Sequence, residues 1–260
     1  MERSRQWAVR CVHEGQMNQD NCFVTLTYDD DHIPYGATLH KPDYQKFLKR
    51  LRKAVGKYRY ALCGEYGDET QRPHYHALLF GYRPDDPELF STRGENRMYT
   101  SKKLSKIWGM GHATFGELTF ESAAYCARYC TKKITGENAW EHYASVDPDT
   151  GEIFERVPEF WAPSRRPGIG LDWLKKYGKD AYEKDEVVLR AKAMKPPRFY
   201  DTHMEVTDPQ LWWTVRRKRR QSAFLKYDPV NIDPDAHHSR RLYSGQIIAE
   251  KRLQQRENMQ

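Results

Sequence analysis

No stretch of the 260 residues is apolar for long enough to cross a membrane, and Met1-Glu2-Arg3-Ser4-Arg5 opens the chain without an apolar segment resembling a signal peptide. No glycine-rich loop ends in Gly-Lys-Ser or Gly-Lys-Thr, which argues against an ATP-driven motor in this chain. Cysteine is scarce: Cys11, Cys22, Cys63, Cys126 and Cys130 are odd in number and lie inside periodic segments. A disulfide framework is thereby excluded, and reduced thiols in a cytoplasm are expected. Cys126 and Cys130 lack the second Cys-x-x-Cys pair that a structural zinc site would need. Internal repeats and low-complexity segments are missing too. Net acidity is also lacking: the formal charge is +7, which favours a polyanionic partner, nucleic acid first and an anionic membrane surface second. Mean hydropathy is low at −0.93, yet aromatics reach 13%, enough to build a core.

Arg72-Pro73-His74-Tyr75-His76-Ala77-Leu78-Leu79-Phe80-Gly81 has the composition of a β-strand between a proline and a glycine. Side chains alternate along a strand, so His74, His76, Leu78 and Phe80 share one face, and Tyr75, Ala77 and Leu79 the other. Two imidazoles one pleat apart can converge on one metal ion. Residues 58 to 65 form a second predicted strand, and a loop through Gly67 and Thr70 makes the two a hairpin. Glu65, at the end of that strand, then comes near the histidines. Asp68 and Glu69 in the loop are alternative carboxylates. Two imidazoles, one carboxylate and open positions suit Mg²⁺ or Mn²⁺ that also takes phosphate oxygens and water.

Further segments supply the surroundings. Residues 4 to 14 read as a short amphipathic helix ending at Gly15, and Cys22 to Tyr28 as a strand running into the acidic turn Asp29-Asp30-Asp31-His32. Tyr44, Phe47, Leu48, Leu51 and Val55 recur at helical spacing after Pro42, with Lys46, Lys49, Arg50, Arg52 and Lys53 opposite. That basic side is either a solvated face or a phosphate-contacting one. Residues 83 to 99 read as loop, Ser101 as the cap of a helix through Trp108, and 112 to 118 as a strand. Thr119 opens a helix carrying Tyr125 and Tyr129 on one face, with Arg128, Lys132 and Lys133 on or beside it. Two phenols sharing a stripe with three cations pack a core poorly and approach phosphates well. Short helices are predicted over 171 to 182 and 186 to 194. A further helix follows Asp208-Pro209 and runs into Arg216-Arg217-Lys218-Arg219-Arg220, a cluster that adds sequence-independent DNA affinity or is simply a solvated face.

In order along the chain, Phe23-Val24-Thr25-Leu26-Thr27-Tyr28, Arg72-Pro73-His74-Tyr75-His76 and Tyr125-x-x-x-Tyr129 resemble the three motifs of the HUH endonucleases that start rolling-circle replication. Gly64-Glu65-Tyr66-Gly67 strengthens the resemblance to the replication initiators of microviruses, especially the gokushovirus branch. The likeness covers about the first 140 residues well and the rest loosely. It implies an α+β fold: a central antiparallel sheet of about five strands flanked by helices, with the metal strand in the middle and the tyrosine helix beside it. The implied division is an endonuclease core over 1–140 and a basic, mainly helical extension over 141–260.

The resemblance also implies roles. His74 and His76 hold a divalent metal with Glu65 as third ligand, and Tyr125 and Tyr129 are alternating nucleophiles. One of Arg128, Lys132 and Lys133 assists them. Arg50, Arg52, Lys53, Arg72 and Arg216 to Arg220 are the DNA-binding candidates. The implied partners are a single-stranded or supercoiled viral origin and the host helicase and polymerase, in the bacterial cytoplasm, with no membrane. The middle position of the histidine motif is usually apolar, so the Tyr75 hydroxyl is a departure. A relaxase or transposase would use the same chemistry on other DNA, and a non-catalytic nucleic-acid-binding protein would use the same residues structurally.

Overall fold

The computed structural model describes residues 2–67, 70–94, 96–132, 134, 136, 139–146, 150–225 and 247, apart from the side chains of 93, 130–132, 224 and 225. The first half of the chain runs α1 (Glu2–Gln16), β1 (Asn21–Tyr28), α2 (Lys41–Val55), β2 (Arg59–Tyr66), β3 (Pro73–Phe80), β4 (Glu88–Arg93), β5 (Asn96–Thr100), α3 (Lys102–Trp108), β6 (Gly111–Gly116) and α4 (Phe120–Lys132). After it come α5 (Ala139–Tyr143), β7 (Ala144–Val146), β8 (Ile153–Glu155), β9 (Phe160–Pro163), α6 (Leu171–Lys184), β10 (Val187–Leu189), β11 (Lys192–Met194), α7 (Arg198–Thr207) and α8 (Pro209–Leu225). Contacts divide the chain into one unit over 1–209 and another over 210–260.

The centre of the first unit is a seven-stranded sheet in the order β4-β5-β6-β1-β3-β2-β9, antiparallel throughout. The fold class is therefore α+β, as the motifs imply, with two more strands than the five expected. The extra pair of strands over 88–100 lies where proline, aspartate and glycine suggest loop. Their Tyr99 and Met98 pair with Phe115 and Gly116 of β6, so the sheet edge recruits them despite weak local signals. A similar correction applies to 186–194. Ala, Lys and Met favour helix there, but Arg190 and Ala191 take left-handed φ values of 52° and 58° and turn the segment into the β10–β11 hairpin.

Alternation decides which face of the sheet each residue serves. Cys22, Val24, Leu26 and Tyr28 of β1 join Tyr75, Ala77 and Leu79 of β3 on one face, under the Tyr44, Phe47, Leu48 and Leu51 stripe of α2 and Trp108 of α3. Ala61 and Cys63 of β2 join Leu78 and Phe80 of β3 on the other, under Ala8 and Cys11 of α1 and Ala123, Cys126 and Ala127 of α4. Local chemistry starts these helices where expected. Ser101 Oγ accepts the Leu104 amide at 3.0 Å, and the Thr119 and Ser122 hydroxyls accept each other's amides at 3.2 and 2.9 Å.

Residues beyond 140 are stitched onto this frame. β9 extends the sheet beside β2, with Cys63 opposite Trp161. On α1, Arg10 lies between Trp7 and Phe199, 3.9 and 3.8 Å from the ring centres, and its Nε donates to the Ile169 carbonyl at 3.0 Å. Glu14 accepts the Gly170 amide at 2.7 Å and pairs with Arg59 at 3.2 Å. His13 stacks on Trp173 at 3.6 Å and meets the Tyr200 hydroxyl through Nδ1 at 2.9 Å. The cysteines at 11, 22, 63 and 126 are free and buried, in keeping with reduced thiols. In the second unit α8 is helical as expected, with the Arg219 guanidinium 5.2 Å from the Trp212 ring centre; residues 237–260, apart from 247, lie outside the described residues.

Candidate active site and metal centre

The site grows out of strand register. On the face carrying α4, His74 stands directly across from Glu65 of β2 and Thr27 of β1, and His76 across from Cys63 and Thr25. Glu65 reaches both rings through a single oxygen: Oε1 lies 2.7 Å from His74 Nε2 and 2.6 Å from His76 Nε2. The three ligand atoms that these residues offer all fall within 4.8 Å of one another. Their side chains are 2% exposed at Glu65, 8% at His76 and 16% at His74, so the cluster opens to solvent on the His74 side.

The outer ring nitrogens are held as well. His74 Nδ1 faces the Arg72 carbonyl at 3.1 Å, and His76 Nδ1 faces Thr25 Oγ1 at 2.9 Å. A carbonyl only accepts, so His74 Nδ1 carries the proton and the lone pair of the neutral ring sits on Nε2, facing a carboxylate. Two acceptors facing each other need a cation between them, either a second proton on the ring or a metal ion. Burial opposes a charged His76 and lowers its pKa. Burial also works to raise the Glu65 carboxyl, but hydrogen bonds from the two histidines prevail and hold it near 2, so the oxygens are anionic.

Occupancy of the carboxylate is lopsided. Oε1 meets three groups while Oε2 is buried with no hydrogen-bond partner among the described residues. An unpartnered buried carboxylate oxygen beside two Nε2 lone pairs is the donor set that a divalent ion satisfies. The residues fit a metal.

The third group on Oε1 is the Tyr125 hydroxyl of α4, at 2.6 Å. Its ring meets His76 edge-on at 5.1 Å and Phe23 at 6.5 Å, while Phe23 stacks on His76 at 5.2 Å. Tyr129, one turn later, donates to the Tyr125 hydroxyl at 3.3 Å. The Arg128 guanidinium sits 5.1 Å from the Tyr125 ring centre. Burial first, then the Glu65 charge, pushes the Tyr125 phenol far up, so it is a protonated donor to Oε1.

The structure thus brings together Glu65, His74, His76, Tyr125, Tyr129 and Arg128. Lys133, the side chain of Lys132, and Asp68 and Glu69 lie outside the described residues. Arg72 borders the cluster, but its guanidinium is engaged by Asp30 at 2.7 Å and the Tyr28 carbonyl at 3.1 Å. Arg50, Arg52 and Lys53 belong to α2, on the opposite face of the sheet. Arg50 donates to the Ile107 and Trp108 carbonyls at 2.7 and 2.6 Å, closing the end of α3, and Arg52 reaches the Tyr58 carbonyl. Arg216, Arg217, Lys218 and Arg220 are exposed on α8 in the second unit. Of the acidic turn, Asp29 binds the His32 amide and ring rather than joining a ligand cluster. The site contributions of Thr25 and Phe23 escape residue-by-residue reading. Alternation along β1 puts both on the histidine face and is the signal that finds them.

The family profile of the replication-associated protein ORF2 matches residues 21–134, from the first residue of β1 to just past α4, and so spans every residue of the cluster. The replication-associated protein VP4 of Bdellovibrio phage phiMH2K is 34% identical over 252 residues, 91% of this chain and 76% of that protein. Replication-associated protein ORF2 of Spiroplasma virus 4 is 35% identical over 222 residues, covering 79% of this chain and 64% of the relative. Replication-associated protein ORF4 of Chlamydia phage 1 is 29% identical over 210 residues, covering 76% and 49%. No solved structure matches the chain. The similarity to the phiMH2K protein runs through most of both sequences, well beyond the matched profile, and the chain belongs to the replication-associated protein family of the microviruses.

Proposed function

We propose that this protein nicks and rejoins single-stranded DNA at a specific viral origin, starting and ending rolling-circle replication through a 5′-phosphotyrosine intermediate. The observation that carries the reading is the Tyr125 hydroxyl seated 2.6 Å from the carboxylate oxygen that both histidines share. A nucleophile and a candidate metal cluster in direct contact are what phosphoryl transfer to a side chain requires.

A divalent ion, Mg²⁺ or Mn²⁺, held by Glu65, His74 and His76 supplies Lewis-acid activation of the scissile phosphate. Tyr125 and Tyr129 supply the two nucleophiles, four residues apart on one helix face. Arg128 lies over the Tyr125 ring, where its charge favours a phenolate. Lys132 and Lys133 follow on the same helix as further candidates for that assistance. Attack on phosphorus joins DNA to the tyrosine and frees a 3′-hydroxyl for a host polymerase, with a host helicase opening the duplex. The bond energy stays in the phosphotyrosine ester, so rejoining needs no nucleotide cofactor. Arg72, at the mouth of the cluster, and the exposed α8 cations are the candidate DNA contacts, and the bacterial host cytoplasm is the setting. Arg50, Arg52 and Lys53 remain candidates for a more distant stretch of strand, behind the sheet.

The test is to incubate the full chain with a random-sequence single-stranded DNA library and Mn²⁺, then recover DNA that stays bound after denaturation. The expected result is a covalent adduct that enriches one sequence, needs the metal, and disappears when Tyr125 and Tyr129 are both replaced by Phe. Binding without any adduct would instead make the chain a non-catalytic nucleic-acid-binding protein.

A further inference from the structure

The two tyrosines are not equivalent. The Tyr125 hydroxyl touches Glu65 Oε1 at 2.6 Å, whereas the Tyr129 hydroxyl touches that of Tyr125 at 3.3 Å. The Tyr125 ring is also the one packed edge-on to His76 at 5.1 Å and overlaid by Arg128 at 5.1 Å. Tyr129 is only 6% exposed and belongs to the core cluster between α4 and the sheet, while Tyr125 packs at the edge of that cluster. A phosphate placed at the metal ligands would meet Tyr125 first.

From this asymmetry we infer a fixed order: Tyr125 makes the first cut, with Tyr129 as its hydrogen-bond donor, and Tyr129 makes the second. The inference rests on the nicking reading above and assigns the roles within it. In the first step the Tyr125 Oη–P bond forms as the P–O3′ bond breaks. The phenol gives up its proton and the departing 3′-oxygen gains one. The hydrogen bond from Tyr129 stabilises negative charge on the Tyr125 oxygen while that bond forms, an effect absent for a lone phenol. Once Tyr125 is esterified, its oxygen can no longer attack, and Tyr129 is the next phenol along the helix. In the second step Tyr129 Oη attacks the regenerated origin and releases a new 3′-hydroxyl. That hydroxyl displaces Tyr125 from phosphorus, closing the circle, and Tyr125 takes back a proton.

The order is read by mapping the adduct. The full chain with Mn²⁺ and the random-sequence single-stranded library is quenched within the first turnover, digested with nuclease and protease, and the nucleotide-bearing tyrosine is identified by mass spectrometry. Expected is a nucleotide on Tyr125 at early times, with Tyr129 adducts following later. Tyr129→Phe should slow the first cut by about tenfold through the lost hydrogen bond and still mark Tyr125. Tyr125→Phe should reduce the early adduct by about a thousandfold or more. A first-turnover adduct on Tyr129, or one divided evenly between the two, overturns the order while leaving the nicking reading intact. No adduct on either tyrosine of the unmodified chain overturns both. The mapping on unmodified protein keeps the test independent of whether either variant folds.

Discussion

Thr25 Oγ1 lies 2.9 Å from His76 Nδ1, on the side of the ring turned away from Glu65. The hydroxyl sits one strand away, on β1, and is in register with the histidine. By accepting the Nδ1 proton it leaves Nε2 as the ligating atom and fixes the ring's orientation. Thr25→Val keeps the shape and removes the acceptor. Its expected effect is a loss of about 10- to 100-fold in Mn²⁺ affinity with little change in fold. Calorimetric titration of Mn²⁺ into both proteins checks this, and equal affinities would remove Thr25 from the site.

Glu65 is the only carboxylate among the described residues that joins the two histidines in a potential metal cluster. Mn²⁺ at about a hundred times its dissociation constant should stabilise the protein by about 2.7 kcal/mol, and so raise its melting temperature. Glu65→Gln removes the anionic ligand while conserving shape and should abolish most of that rise. A chelator should reverse the effect in the unmodified protein. An equal Mn²⁺ response in both proteins would place the ion elsewhere.

His13 supplies a pH dependence unrelated to the site. Burial between Trp173 and Tyr200 lowers its pKa from the ordinary value to about 3. Between about pH 6.5 and 3 the unfolded chain binds a proton that the folded one excludes. Its contribution to stability is therefore complete above pH 6.5 and lost as pH falls toward 3, at up to about 1.4 kcal/mol per pH unit. His13→Gln should flatten the urea-midpoint profile across that window. A profile unchanged in slope would mean that His13 is already protonated in the fold.

The Tyr75 hydroxyl, unexpected in the middle of the histidine motif, is fully engaged on the far face of the sheet. It donates to the His40 carbonyl and accepts the His40 amide, both at 2.9 Å, and lies 2.9 Å from the Tyr28 hydroxyl, which donates to Asp43 at 2.8 Å. Burial pushes Tyr75 up to about 12, so it remains a neutral donor. Tyr75→Phe leaves the His40 amide without this partner and should cost about 1–3 kcal/mol in urea unfolding. Mn²⁺ affinity should change far less, because the ring and the strand register persist. A large loss of affinity with unchanged stability would contradict this division of labour.

Residue order by itself determined the histidine strand, its hairpin with the Glu65 strand, the tyrosine helix and the caps at Ser101 and Thr119. Each of these depends on neighbours a few positions apart: the two-residue period of a strand, the four-residue spacing of a helix face, a hydroxyl beside free amides. Periodicity also indicated that α2 has an apolar and a basic side. It carried no information on which face of the sheet α2 would cover, and tertiary packing put Arg50, Arg52 and Lys53 behind the sheet from the histidines. The β4–β5 hairpin, the β10–β11 turn and the addition of β9 beside β2 likewise arose from pairing with distant strands or from left-handed turn residues that composition did not flag. The contact between Tyr125 and Glu65, 60 positions apart, belongs to the same class. Only the docking of α4 against β2 and β3 brings that phenol to that carboxylate, because helix periodicity sets which residues share a face and packing alone sets what that face meets.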